Sequence, residues 1–81
     1  MADTNWRTRI VVDAAIHHGD PCIKGTRVPV SVIVGSIADG DSIPDVLRAH
    51  PQLAEEDVRA ALHFAAEAVS RADFVPLKAT D

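Results

Sequence analysis

The chain is poor in the residues that staple, span or crowd. Its 81 residues include one cysteine, one tryptophan, two phenylalanines and no tyrosine. A single cysteine cannot build an internal disulfide framework, which suits a reducing compartment. With Trp6, Phe64 and Phe74 as the whole aromatic stock, Ala, Val, Ile and Leu must supply the core. No apolar run approaches the ~20 residues of a membrane span, and residues 1–10 lack the apolar centre of a secretory leader. These absences lead us to expect a cytoplasmic protein. A chain of this length buries only roughly 60–65% of its unfolded surface, so the core is thin and a partner subunit would help it.

Positive charge is also scarce, and unevenly placed. Residues 1–30 carry four cations (Arg7, Arg9, Lys24, Arg27) against three acids, while residues 31–81 carry four cations against nine acids, for a net charge of −4. That balance is poor for a chain that binds phosphates unaided. An acidic second half suits a basic protein partner better than nucleic acid.

Local signals outline the elements. Arg9-Ile10-Val11-Val12 is β-branched and reads as a strand, and Asp13–His17 as one turn of helix. Gly19-Asp20-Pro21 marks a turn, Cys22-Ile23 a second extended piece, and Lys24-Gly25-Thr26 another turn in which Gly25 takes a positive φ. Arg27-Val28 is held extended by Pro29, which then opens a helix. Val30, Ile33, Val34 and Ile37 line one face of it, and Asp39-Gly40 ends it. Ser42-Ile43-Pro44-Asp45 is a capping box for a short second helix whose Ile43, Val46 and Leu47 face inward. His50-Pro51 closes it. Winding residues 54–71 at 100° per residue gathers Val58, Ala61, Leu62, Phe64, Ala65, Ala68 and Val69 on one arc and Glu56, Arg59, His63, Glu67 and Ser70 opposite. Three helices after a small β element describe a mainly α, helix-turn-helix bundle. Residues 1–71 form the body and residues 72–81 a tail.

No residue set calls for catalysis. His17, His18 and Cys22 are one loose cluster, whereas zinc sites show paired ligands twice over; turn-capping or exposed histidines are the commoner outcome. Cys22 lies between Pro21 and Ile23, an apolar setting that disfavours the thiolate, and free cysteine is more often a small buried hydrophobe. Lys24-Gly25-Thr26 reverses the glycine–lysine order of a phosphate-binding loop. The acids sit at helix starts and on solvent faces. We expect no enzyme activity, no metal and no cofactor.

The densest stretch is His18-Gly19-Asp20-Pro21-Cys22-Ile23-Lys24-Gly25-Thr26-Arg27-Val28-Pro29-Val30. Its run G-x-P-C-I-K-G-T-R-V-P-V resembles the hallmark of a small bacterial family, domain of unknown function 433, over about residues 9–66. The motif loop comprises Gly19, Pro21, Gly25, Thr26, Arg27 and Pro29. Members of that family resemble VapB-type antitoxins, are often partnered with a PIN-like nuclease, and have a winged or homeodomain-like fold. The resemblance implies an antitoxin that neutralises a PIN-like nuclease toxin and, with operator DNA as a further partner, regulates its own operon. A stand-alone helix-turn-helix transcriptional regulator is the alternative. Where the family usually has Thr or Ser at the start of the third helix, Ala54 stands here and is expected to leave an amide unsatisfied.

Three sets of residues follow as candidates. For DNA, Arg59 and His63 on the third helix would read bases while Arg7, Arg9, Lys24 and Arg27 supply phosphate contacts; a solvated polar face is the plainer explanation, and Glu67 would repel phosphate. Arg27 suits equally a structural pair with a helix carboxylate, the role we favour. For a protein partner, Phe74, Val75 and Leu77 are apolar and lie beyond the helix around Pro76, so they either fold back over the body or dock on the nuclease. Finally, the N-terminal segment with Trp6, Ile10, Val11 and Val12 is read as extended; a lone strand needs a mate, so a homodimer or higher even oligomer is expected.

Overall fold

The computed structural model describes residues 5–15 and 19–71. A short 3-10 helix, Trp6–Arg9, leads into strand β1, Ile10–Val11, which pairs antiparallel with β2, Cys22–Ile23. Helices α1 (Val30–Ala38), α2 (Ile43–Ala49) and α3 (Glu55–Arg71) follow. The mainly α architecture with a small N-terminal β element is as expected from the sequence.

The N-terminal part differs from that expectation in two ways. Trp6 is not in an extended segment; it sits in the 3-10 turn and is buried. The strand is shorter than Arg9–Val12 and finds its mate in its own chain, Ile10 opposite Ile23 and Val11 opposite Cys22. The unpaired-strand argument for a second copy therefore lapses. Asp13 makes a turn, its carboxylate accepting the Ala15 N–H at 2.9 Å; the rest of the expected helical turn, Ile16 and His17, lies outside the described residues.

The three helices begin and end where local chemistry directs. Pro29, with φ −68° and ψ 144°, is the N-cap of α1. Its far end is a complete Schellman closure: Gly40, at φ 106°, donates to the Ile37 carbonyl and Asp41 to that of Ser36, both at 3.0 Å. The capping box of α2 is reciprocal, Ser42 Oγ accepting the Asp45 N–H (3.2 Å) and the Asp45 carboxylate accepting the Ser42 N–H (2.9 Å). This acceptor role, with Arg48 beside it, holds the Asp45 carboxyl below the ordinary aspartate pKa.

Helix α3 needs no hydroxyl at Ala54. The Asp57 N–H bonds the Ala54 carbonyl at 3.0 Å, and the Ala54 N–H donates to the Asp57 carboxylate at 2.9 Å. The amide expected to be orphaned is satisfied by tightening the first turn.

The core lies where α1, α2 and α3 meet β2. Ile23, Val28, Val30, Ile33, Val46, Leu53, Val58 and Ala61 are its buried members. Ala60 is buried beside them, although the helical arc alone left it out. At the other end of α3 the opposite holds: Ala68 and Val69 fall on the inward arc, yet both are exposed.

Candidate protein-docking site

The motif loop is wired to itself. Thr26 Oγ1 donates to the Ile23 carbonyl at 2.8 Å and accepts the Val28 N–H at 3.0 Å. The Ile23 N–H donates to the Val28 carbonyl, and the Val30 N–H to that of Pro21 (3.0 and 2.9 Å). Gly25 takes φ 83° at the reversal, as read from the sequence. The Lys24 N–H reaches the Arg9 carbonyl at 2.7 Å, tying the loop to β1. Cys22 is fully buried and its thiol donates to the Asp20 carbonyl, the small-hydrophobe role rather than a nucleophile's. The loop is thus a scaffold that delivers Pro29 to α1, with Lys24 and Arg27 exposed upon it.

The five cations and one histidine proposed for DNA do not form one face of unengaged groups. Arg7 pairs with Glu67, Arg9 with Asp57 at 3.1 Å, and Arg59 with Glu55 at 2.7 Å. Asp57, whose side chain is 14% exposed, holds both Arg9 and the Ala54 amide and so joins the N-terminal segment to the head of α3. His63 stacks on Trp6, centroids 5.8 Å apart and planes within 13°, while Phe64 meets the same indole edge-on at 6.5 Å. The Arg7 guanidinium lies 4.6 Å from the Trp6 ring centroid. Trp6 was legible only as a scarce aromatic; its placement between His63 and Phe64 had no sequence signal.

No group of three His, Cys, Asp or Glu residues among the described ones could hold a metal ion. His17 and His18 lie outside the described residues, as do the tail candidates Phe74, Val75 and Leu77. No helix among the described residues is long and apolar enough to cross a membrane.

What the body does offer is apolar surface. A groove of about 360 Å³ runs between the start of α1 and the last turns of α3, lined by Asp20, Pro21, Val30, Ser31, Val34, Phe64, Ala65, Ala68 and Val69. On the other side of Phe64 a smaller hollow of about 190 Å³ is lined by Trp6, Arg7, Ile10, Val12 and Glu67. Val69 and Val12, 59% and 61% exposed, flank this face. Neither hollow has the convergent polar groups of a small-molecule site; together they make contiguous apolar surface on a small chain.

The fold and face define a small three-helix protein with a two-stranded β element and an apolar groove beside Phe64. The chain belongs to the family described as protein of unknown function (DUF433), which it matches over residues 10–65. It is similar to the uncharacterized protein y4eO of Sinorhizobium fredii (strain NBRC 101917 / NGR234), 43% identical over 47 residues. That match takes in 58% of this chain and 21% of the relative, so the chain spans about a fifth of that protein's length. Its fold is also similar to the crystal structure of a DUF433 member from Anabaena variabilis ATCC 29413, with a TM-score of 0.72 and 27% identity, covering 78% of this chain and 62% of that one.

Proposed function

We propose that the protein is an antitoxin-like member of a bacterial toxin–antitoxin pair, acting in the cytoplasm by binding and neutralising a PIN-like nuclease, with no catalytic activity or cofactor of its own. The observation that carries the reading is the apolar face around Phe64 on an acidic chain. An apolar patch rimmed by polar residues is suited to a protein partner, and the acid surplus of residues 31–81 complements the basic surroundings of a nuclease site. Phe74, Val75 and Leu77, apolar residues that follow α3 in the sequence, are the proposed anchor on the nuclease. A homodimer, or a higher even oligomer, is part of the proposal; α1 supports it, since its nine residues hold no charge and Val32 is 43% exposed.

Binding of operator DNA has less to support it. Arg7, Arg9 and Arg59 would each have to leave a carboxylate to reach a phosphate.

Deletion of residues 73–81 tests the anchor. The truncated protein should keep its far-ultraviolet circular dichroism and its sedimentation as an even oligomer, yet lose neutralisation of the PIN-like nuclease it is proposed to bind. Full neutralisation by the truncated chain, or loss of the fold, removes the tail from the anchoring role.

A further inference from the structure

The groove between α1 and α3 opens at the place where the described chain stops. Its apolar walls are Pro21, Val30, Val34, Phe64, Ala68 and Val69, and Val69 lies two residues before the end of α3 at Arg71. Ten more residues, 72–81, follow that end. They read Ala72-Asp73-Phe74-Val75-Pro76-Leu77-Lys78-Ala79-Thr80-Asp81. An extended chain advances about 3.3 Å per residue against about 1.5 Å in a helix. A segment that reverses at Ala72-Asp73 would therefore bring Phe74 to Leu77 alongside the last turns of α3. Asp favours such a turn, and Pro76 opposes any continuation of the helix.

We infer that in the free protein the groove is filled by the chain's own tail, with the Phe74 ring and the Leu77 side chain against Val34, Ala68 and Val69. Charge agrees with this direction of travel. Lys78 is the only cation in residues 72–81, and Asp20 is the carboxylate in the groove wall, across from α3. The tail run Phe74-Val75-Pro76-Leu77 holds no charge, and the groove wall beneath it is almost wholly apolar. The inference concerns the free chain and stands without a nuclease partner. For the segment proposed above as an anchor, the groove is a resting position, which the tail must leave before it can lie on anything else.

Nuclear Overhauser spectra of the full-length, methyl-labelled protein test it. Phe74 ring protons should give cross-peaks to the methyls of Val34 and Val69 that persist on dilution. Phe74→Ala should shift those two methyl pairs and leave Ile33 in the core unmoved. Ala68→Arg, at an exposed position, should instead expel the tail, so that the amides of residues 74–78 move to random-coil shifts. Absence of the cross-peaks, or tail amides already at random-coil positions, overturns the inference. Cross-peaks found only between labelled and unlabelled chains overturn it in favour of a second copy in the groove.

Discussion

Single residues explain what the densest motif accomplishes. Thr26 occupies the inside of the loop, where its hydroxyl bridges the Ile23 carbonyl and the Val28 N–H. The Ile23 carbonyl also accepts the Thr26 N–H at 3.0 Å, and Gly25 reverses the chain at φ 83° between the two ends. Thr26→Ala should therefore cost about 1–2 kcal/mol, the loss of two hydrogen bonds at a partly buried site, while Thr26→Ser should recover most of it. Urea unfolding of the three proteins checks this; equal midpoints for wild type and Thr26→Ala would show that the hydroxyl is replaceable by water. Gly25 itself has open space where a side chain would lie. Gly25→Ala would thus be opposed by backbone conformation alone, at about 1 kcal/mol.

At the scale of elements, α2 carries a titratable cap. Asp45 accepts the Ser42 N–H and lies beside Arg48, so its carboxyl titrates below the ordinary aspartate value. A depressed folded-state pKa gives stability that is present above the unfolded value of about 3.9 and lost as pH falls through the folded value. Asp45→Asn keeps a side-chain oxygen for the Ser42 N–H but cannot titrate. The stability difference between wild type and Asp45→Asn should therefore be constant near neutrality and shrink below about pH 4, as read from urea midpoints at a series of pH values. A difference that holds unchanged into acid would show that the cap does not depend on the charge. Helix α3 makes the contrasting case: Ala54 brings no side-chain cap, and Asp57 takes over by holding the Ala54 amide and Arg9 together.

At the scale of the whole molecule, Trp6 joins the N-terminal segment to α3. It is 9% exposed, stacked on His63 and edge-on to Phe64. A domain of this size has roughly 4–12 kcal/mol of stability in all, and replacing a buried Trp by Ala typically costs about 3–5 kcal/mol. Trp6→Ala should leave a large fraction of the protein unfolded at room temperature, measured by circular dichroism since the mutant has no other tryptophan. Trp6→Phe, which keeps a ring against Phe64, should lose less than half as much. A stable Trp6→Ala variant would show that the segment before β1 is dispensable.

The local elements were legible in the residues because their causes are local. Pro29 and Gly40 bound α1, Ser42 and Asp45 start α2, and Gly25 turns the motif loop, each through contacts a few residues apart. The Arg59–Glu55 pair, one helical turn apart, is of the same kind. Contacts across large sequence distances were decided only in the folded chain. Nothing in the order of residues pairs Ile10 with Ile23, Arg9 with Asp57 or Arg7 with Glu67, and these contacts turn an expected extended arm and two expected phosphate ligands into parts of the body. Periodicity could say which side of α3 is apolar, but not how far the body extends beneath it. Burial depends on what stands opposite: Val58 and Ala61 belong to the closed core with Ile33 and Val46, while Ala68 and Val69 face the start of α1 across an open groove.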